Sequence, residues 1–259
     1  MGTVAKALTL LTLFNKSRPL IGLSDFTRLS GLNKATTFRL LGELQTMGFV
    51  EQVGTTRAYR LGPEVLRLAA LREASVPLMS VARDTLEHLS RTTGETAHMS
   101  HIQGHQLNTL IYAYGARHGT QVRMEDAEVL SFHGTSSGLA VLGFCESAFV
   151  DDILSRPLKA HTDETRTNPV QIRADLEVVR KDGMAESIGG FEADVHSHAA
   201  PVFGPDMLPI GALAVATPVS RMNAALKVLI CGELRQCAVK LTHQIGGLYP
   251  PHFPLSDAA

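Results

Sequence analysis

The chain has 259 residues, 44% of them hydrophobic, which is enough for one large core or two modest ones. Its formal net charge of −1 hides a split: residues 1–62 hold eight Lys and Arg against three Asp and Glu, a balance of +5, so the remainder carries −6. A basic small segment ahead of an acidic large one points to a polyanion partner for the first alone. Three cysteines, Cys145, Cys231 and Cys237, without a C-x-x-C spacing exclude a disulfide framework and fit a reducing cytoplasm.

The chain opens on Val4, Ala7, Leu8 and Leu11, spaced i, i+3, i+4, i+7 as on one face of an amphipathic helix. No signal peptide is expected ahead of it, and Lys6 spoils a myristoylation signal at Met1-Gly2. Pro19-Leu20-Ile21-Gly22 reads as a link with a small strand. From Leu23 two short helices follow across a tight turn. Ser24 is placed to cap the first and Asp25 suits its first turn; Gly31 ends it. Asn33 is placed to cap the second, which runs to about Met47 before Gly48. Leu40, Leu41, Leu44 and Met47 make its apolar stripe, whereas Lys34, Ala35, Phe38, Arg39 and Gly42 fall off it. Two helices so joined are the pattern of a helix-turn-helix, and cations beside very small residues suit a helix entering a DNA groove. An ordinary packed helix pair with a solvated basic face is the plain alternative.

Phe49–Val53, a Gly54-Thr55-Thr56 turn and Arg57–Leu61 form a β-hairpin, hence a wing, with Arg57 beside its tip. Gly62-Pro63 marks a boundary and starts a short helix with Val65, Leu66, Leu68, Ala69 and Leu71, a linker and dimer contact. Pro77 interrupts, and another helix runs from about Leu78 to Thr93. Glu95–Gln103 and Gln106–Tyr114 read as strands. Leu130–His133 leads to the turn Gly134-Thr135-Ser136-Ser137-Gly138 and an apolar helix through Phe144. Pro169–Lys181 is helical, His196–Phe203 and Leu208–Ala216 are strands, and a long helix spans about Arg221 to Ile245. The run Leu208–Ala216 is too short to cross a membrane. Hairpins flanked by helices predict mainly antiparallel pairing and an α+β fold. Residues 250–259 read as a frayed tail.

Gly134–Gly138 matches G-x-S-x-G, which would make Ser136 the nucleophile of a serine hydrolase with an appended DNA-binding domain. Against that, hydrolases of this kind need a parallel sheet, and the hairpins predict otherwise. The same turn read as a helix start offers the Ser136 and Ser137 N–H groups to an anion, or merely caps its helix. His98 and His101 point to opposite faces of a strand. His196 and His198 share one face and could chelate, but two ligands without a nearby third are weak evidence beside polar pocket or surface histidines, and a metal sensor stays the third reading.

The stretches Gly31–Leu41, Gly48-Phe49-Val50, Tyr59–Gly62, Gly94-Glu95-Thr96, Phe132–Gly138 and Ala199–Phe203, in this order, resemble the IclR family of transcriptional regulators over about residues 3–249. The resemblance implies a winged helix-turn-helix over 1–62, a linker helix over 63–76 and a GAF-like effector-binding domain over 77–249. It implies a ligand-responsive regulator, read here as a cytoplasmic repressor and not an enzyme, with no cofactor and no metal expected. Its partners would be a double-stranded DNA operator, a small carboxylate or aromatic acid, and further copies of itself in a dimer or tetramer. The family's recognition-helix pattern maps onto Asn33, Lys34, Thr36, Phe38 and Arg39, with Arg57 on the wing. Phe38 stands where Tyr is frequent and Ala35 where Ser is common. Pocket positions map onto Met99, Ser136, Ser137, Ser187, Ser197, His198, Ala214 and Ala216. The usual Gly-Lys is Gly138-Leu139, a carboxylate position is Ser187 and a cysteine position is Ser197, so the resemblance implies a different and more apolar pocket.

Overall fold

The structure, a computed structural model, describes residues 2–14, 18–75, 78–125 and 128–254. The Pro77 break and the last five residues of the expected tail lie outside them. The chain divides into two compact units, residues 1–77 and 78–259.

In the first unit, helices α1 (Thr3–Leu11), α2 (Leu23–Ser30) and α3 (Lys34–Thr46) precede strands β1 (Val50–Val53) and β2 (Ala58–Leu61) and helix α4 (Pro63–Ser75). Gly31, at φ +68°, takes the left-handed conformation that stops α2. Asn33 then caps α3, its side-chain oxygen accepting from the Thr36 N–H at 2.8 Å. Ser24 does not cap α2, which starts one residue earlier after Gly22; Asp25 pairs with Arg28 at 2.9 Å. Leu40, Leu41 and Leu44 pack with Phe26, Val50 and Tyr59 into one core. Met47 is 66% exposed, because it sits at the end of α3 where the wheel no longer applies. α1 turns a shifted face inward: Leu10 is fully buried and the expected Ala7 and Leu11 pack against the core, while Val4 and Leu8 are exposed. β1 and β2 pair antiparallel from Val50 opposite Leu61 to Val53 opposite Ala58. Ile21 bridges to Tyr59 and so supplies the small strand expected in the link. α4 leaves Leu66, Leu68 and Leu71 exposed.

The second unit is a six-stranded antiparallel sheet ordered β5-β4-β3-β8-β7-β6. Its strands are β3 (Thr96–Gln103), β4 (Gln106–Ala113), β5 (Val129–Leu130), β6 (Ala185–Ile188), β7 (Val195–Phe203) and β8 (Pro209–Pro218). Its helices are α5 (Leu78–Thr93), α6 (Ser136–Leu142), α7 (Ser147–Ser155), α8 (Pro169–Asp182) and α9 (Ala224–Gln244). Period-two alternation divides each central strand between two cores. Ala199, Phe203, Ala212 and Ala214 pack with residues of α6, α7 and α8, and Met99, Ala200, Leu213 and Val215 with residues of α5 and α9. α7 and β6 were not anticipated, and of the stretch Leu130–His133 that leads to the turn only Leu130 is strand. The tail from Pro250 to Pro254 is packed rather than frayed: the Phe253 ring lies 5.0 Å from Phe144 and 5.4 Å from Phe203. Among the described residues no helix is long and apolar enough to cross a membrane.

Candidate functional site

The start of α6 is fixed by local chemistry. Thr135 accepts from the Gly138 N–H at 3.0 Å and caps the helix. A Cβ at position 138 would lie 2.3 Å from the Phe132 carbonyl oxygen, so the glycine serves this close approach. Ser136 Oγ donates to Ser197 Oγ at 2.8 Å, Ser187 Oγ donates to the Gly134 carbonyl at 2.9 Å, and Ser137 Oγ lies 3.2 Å from His98 Nε2. These four serines line a narrow cavity of about 40 Å³. Among the described residues, the backbone N–H groups of Ser136 and Ser137 have no hydrogen-bond partner, as the first turn of a helix requires.

Three further wall residues, His98, Glu128 and Glu192, were not foreseen. Burial pushes the His98 imidazole down to about 4, so it is neutral at pH 7. Burial, with the charges of Glu192 and Glu125, raises the Glu128 carboxyl, and burial raises Glu192. The expected apolar pocket is therefore polar on these sides, with no Lys or Arg in its wall. Of the expected pocket residues, Ser136, Ser137, Ser187, Ser197 and Ala216 line the cavity. Met99 does not, because it follows His98 on β3 and packs with residues of α5 and α9 on the other face. His198 follows Ser197 on β7 and likewise faces away, toward Glu186. Ala214 shares a face with Ala216 but is sealed among the residues that pack on α6.

The hydrolase alternative fails on fold and geometry. The sheet is antiparallel throughout. Ser136 gives its proton to Ser197, and the histidine beside Ser137 has no partner on Nδ1 to orient it.

In the first unit, Lys34, Phe38 and Arg39 stand on the solvent side of α3, with Phe38 60% exposed. Thr36 is half-buried, and the Asn33 oxygen is engaged in its cap. Arg57 sits beside the hairpin tip at φ 52°. Among the described residues Lys34, Arg39 and Arg57 have no ion-pair partner, whereas Arg28 and Arg60 pair with Asp25 and Glu51.

The model of the IclR helix-turn-helix domain matches residues 3–54, and that of the bacterial transcriptional regulator IclR C-terminal domain matches residues 71–243. The chain belongs to the IclR family. Like other IclR-family regulators, it couples a helix-turn-helix unit to the family's C-terminal domain. It is 28% identical over 248 residues to the glycerol operon regulatory protein of Streptomyces coelicolor, covering 94% of this chain and 96% of that one. To the transcriptional repressor IclR of Escherichia coli it is 25% identical, covering 95% of this chain and 90% of that one. A crystal structure described as an ICLR transcriptional regulator from Silicibacter sp. TM1040 is 61% identical, with a TM-score of 0.80 over 98% of this chain and 100% of that one. An IclR homologue from Microbacterium hydrocarbonoxydans, solved in complex with 4-hydroxybenzoate, shares the fold at 23% identity and a TM-score of 0.59, covering 94% of this chain and 99% of that one.

Proposed function

We propose that this protein is a cytoplasmic, DNA-binding repressor whose grip on its operator is set by a small organic acid bound in the cavity at the start of α6. The observation that carries the reading is that cavity. Ser136 and Ser137, whose backbone N–H groups have no hydrogen-bond partner among the described residues, belong to its wall beside Ser187 and Ser197. A carboxylate seated there takes both N–H groups without needing a cationic side chain. Glu128 and Glu192 elsewhere in the wall repel a second negative charge and accept from a hydroxyl or amine. The effector is accordingly a monoanionic acid bearing a hydrogen-bond donor away from its carboxylate, the chemical shape of the 4-hydroxybenzoate named with the Microbacterium homologue. The present volume of about 40 Å³ means that the walls part to admit it.

Operator contact belongs to the outer side of α3 and the wing. Asn33, Lys34, Thr36, Phe38, Arg39 and Arg57 form that surface in our reading, the cations on phosphates or guanine edges and the Phe38 ring on a thymine methyl.

A thermal-shift screen over hydroxylated and amino-bearing monocarboxylates tests the effector assignment, because a ligand stabilises the state it binds. The hit is then measured against Ser137→Pro, which deletes one backbone donor. A variant that stays folded, keeps operator binding and loses the ligand response supports the seat at Ser137. Undiminished affinity for the acid places the carboxylate elsewhere.

A further inference from the structure

On the side of the sheet away from the serine cavity, β6 and β7 bring together a set of donors that the repressor reading does not use. His196 and His198 are two apart on β7 and so project from the same face. Glu186 lies directly across from His198 in the β6–β7 register. Its Oε1 is 2.6 Å from His196 Nε2 and 3.2 Å from His198 Nε2, and one ligand atom from each residue fits within 4.8 Å of the others. The two imidazoles stack at 4.9 Å. His198 is 2% exposed, yet its Nδ1 has no hydrogen-bond partner and its Nε2 meets only Glu186 Oε1, at 3.2 Å. Leaving a buried imidazole so costs free energy that a Lewis acid on the nitrogen would recover.

We propose that Glu186, His196 and His198 bind one divalent transition-metal ion of the zinc class. Two imidazoles and a carboxylate suit zinc, nickel or cobalt rather than the oxygen-seeking calcium and magnesium. Access is available through a cavity of about 590 Å³ that reaches Glu186 and His198 and also has Lys227 and Cys231 of α9 in its wall. The Lys227 ammonium stands 2.7 Å from each Glu186 oxygen, where it fills the role of a cation. An entering ion displaces it. The remaining coordination position falls to water or to the Cys231 thiol, one helical turn beyond Lys227. Ser187 and Ser197, the chain neighbours of these ligands, face the effector cavity, so the ion would tie together the two strands that form part of its wall.

A simple charge cluster that pins β6 to α9 forecasts no stoichiometric ion and only a loss of stability in Lys227→Met, and this separates the readings. The full-length protein, stripped with chelator, is titrated with Zn²⁺ against a chromophoric chelator and with Co²⁺ for its visible spectrum. One ion per chain is expected. His196→Gln and Glu186→Gln should each weaken it by about 100-fold or more, since even residues that only orient ligands are worth 10–100-fold. Lys227→Met should tighten it by about tenfold, because a competing and repelling cation is gone. His88→Gln should leave it unchanged, although His88, Glu233 and Cys237 form another such group. Absence of stoichiometric binding, loss of the ion in His88→Gln instead, or weaker binding in Lys227→Met overturns the proposal. Should His196→Gln fail to fold, the Lys227→Met titration and the Co²⁺ spectrum decide alone.

Discussion

Glu95 is 1% exposed at the head of β3, and Arg221 holds it through two hydrogen bonds of 2.6 and 2.8 Å while also donating to the Thr120 carbonyl at 2.9 Å. Arg221→Ala strands that carboxylate and should cost about 3–5 kcal/mol, read as a lower denaturant midpoint. The paired change Glu95→Gln with Arg221→Met should recover most of the loss, and equal destabilisation of both would deny the pair its role. His98 makes stability depend on pH. Its folded value of about 4 lies below the ordinary 6.5, so the unfolded chain takes up a proton first as pH falls. The stability it protects is whole above 6.5 and is lost between 6.5 and about 4, on the order of 2 kcal/mol from pH 7 to pH 5. His98→Gln should remove that part of the slope in urea titrations at the two pH values. The sequence made the four serines of the cavity legible, since a helix-start motif and a family pattern mark them. It left out His98, Glu128 and Glu192, two of which lie outside helix and strand. It also named Ser197 with His198, which strand parity alone forbids for one side of a sheet.

At the scale of elements, α3 was readable because its cap, its leucine stripe and its terminating glycine agree with one another. α1 was not, since nine residues allow two overlapping faces and only packing chooses Leu10 over Val4 and Leu8. α7 carries a signal that was there to find: Phe149, Val150, Ile153 and Leu154 repeat at helical spacing, and the last three are buried. β6 carries almost none, being four residues at a sheet edge with two polar side chains. The exposed face of α3 yields a paired test. Arg39→Ala should weaken operator binding and reduce the salt slope by about 1, as loss of one phosphate contact requires. Phe38→Ala should leave that slope alone and relax discrimination at one base pair, at a cost of about 1–3 kcal/mol if a base methyl is lost. Equal slopes for Arg39→Ala and wild type in fluorescence anisotropy across a salt series would take Arg39 out of the interface.

For the whole molecule, the exposed apolar surface of the first unit asks for a partner. Val4 and Leu8 are 73% and 53% exposed on α1, and Leu66, Leu68 and Leu71 stand out from α4 at 74%, 41% and 54%. Single exposed apolar side chains are ordinary, but four leucines and a valine on two helices of so small a unit carry a cost unless covered. A single helix-turn-helix also reads too few base pairs to find one site in a genome, and a second copy doubles the contacts. Both arguments lead to a homodimer or a higher assembly on an operator whose half-sites repeat as an inverted pair about one helical turn, or a multiple, apart. Sedimentation velocity at micromolar protein should give at least a dimeric mass. Leu66→Glu with Leu71→Glu should shift it toward the monomer while the secondary structure persists. Affinity for the full operator should then fall toward that for an isolated half-site, because the second contact is no longer gained within one complex. A monomeric wild type that holds one half-site as tightly as the whole operator would show that these faces meet something other than a second copy of the chain.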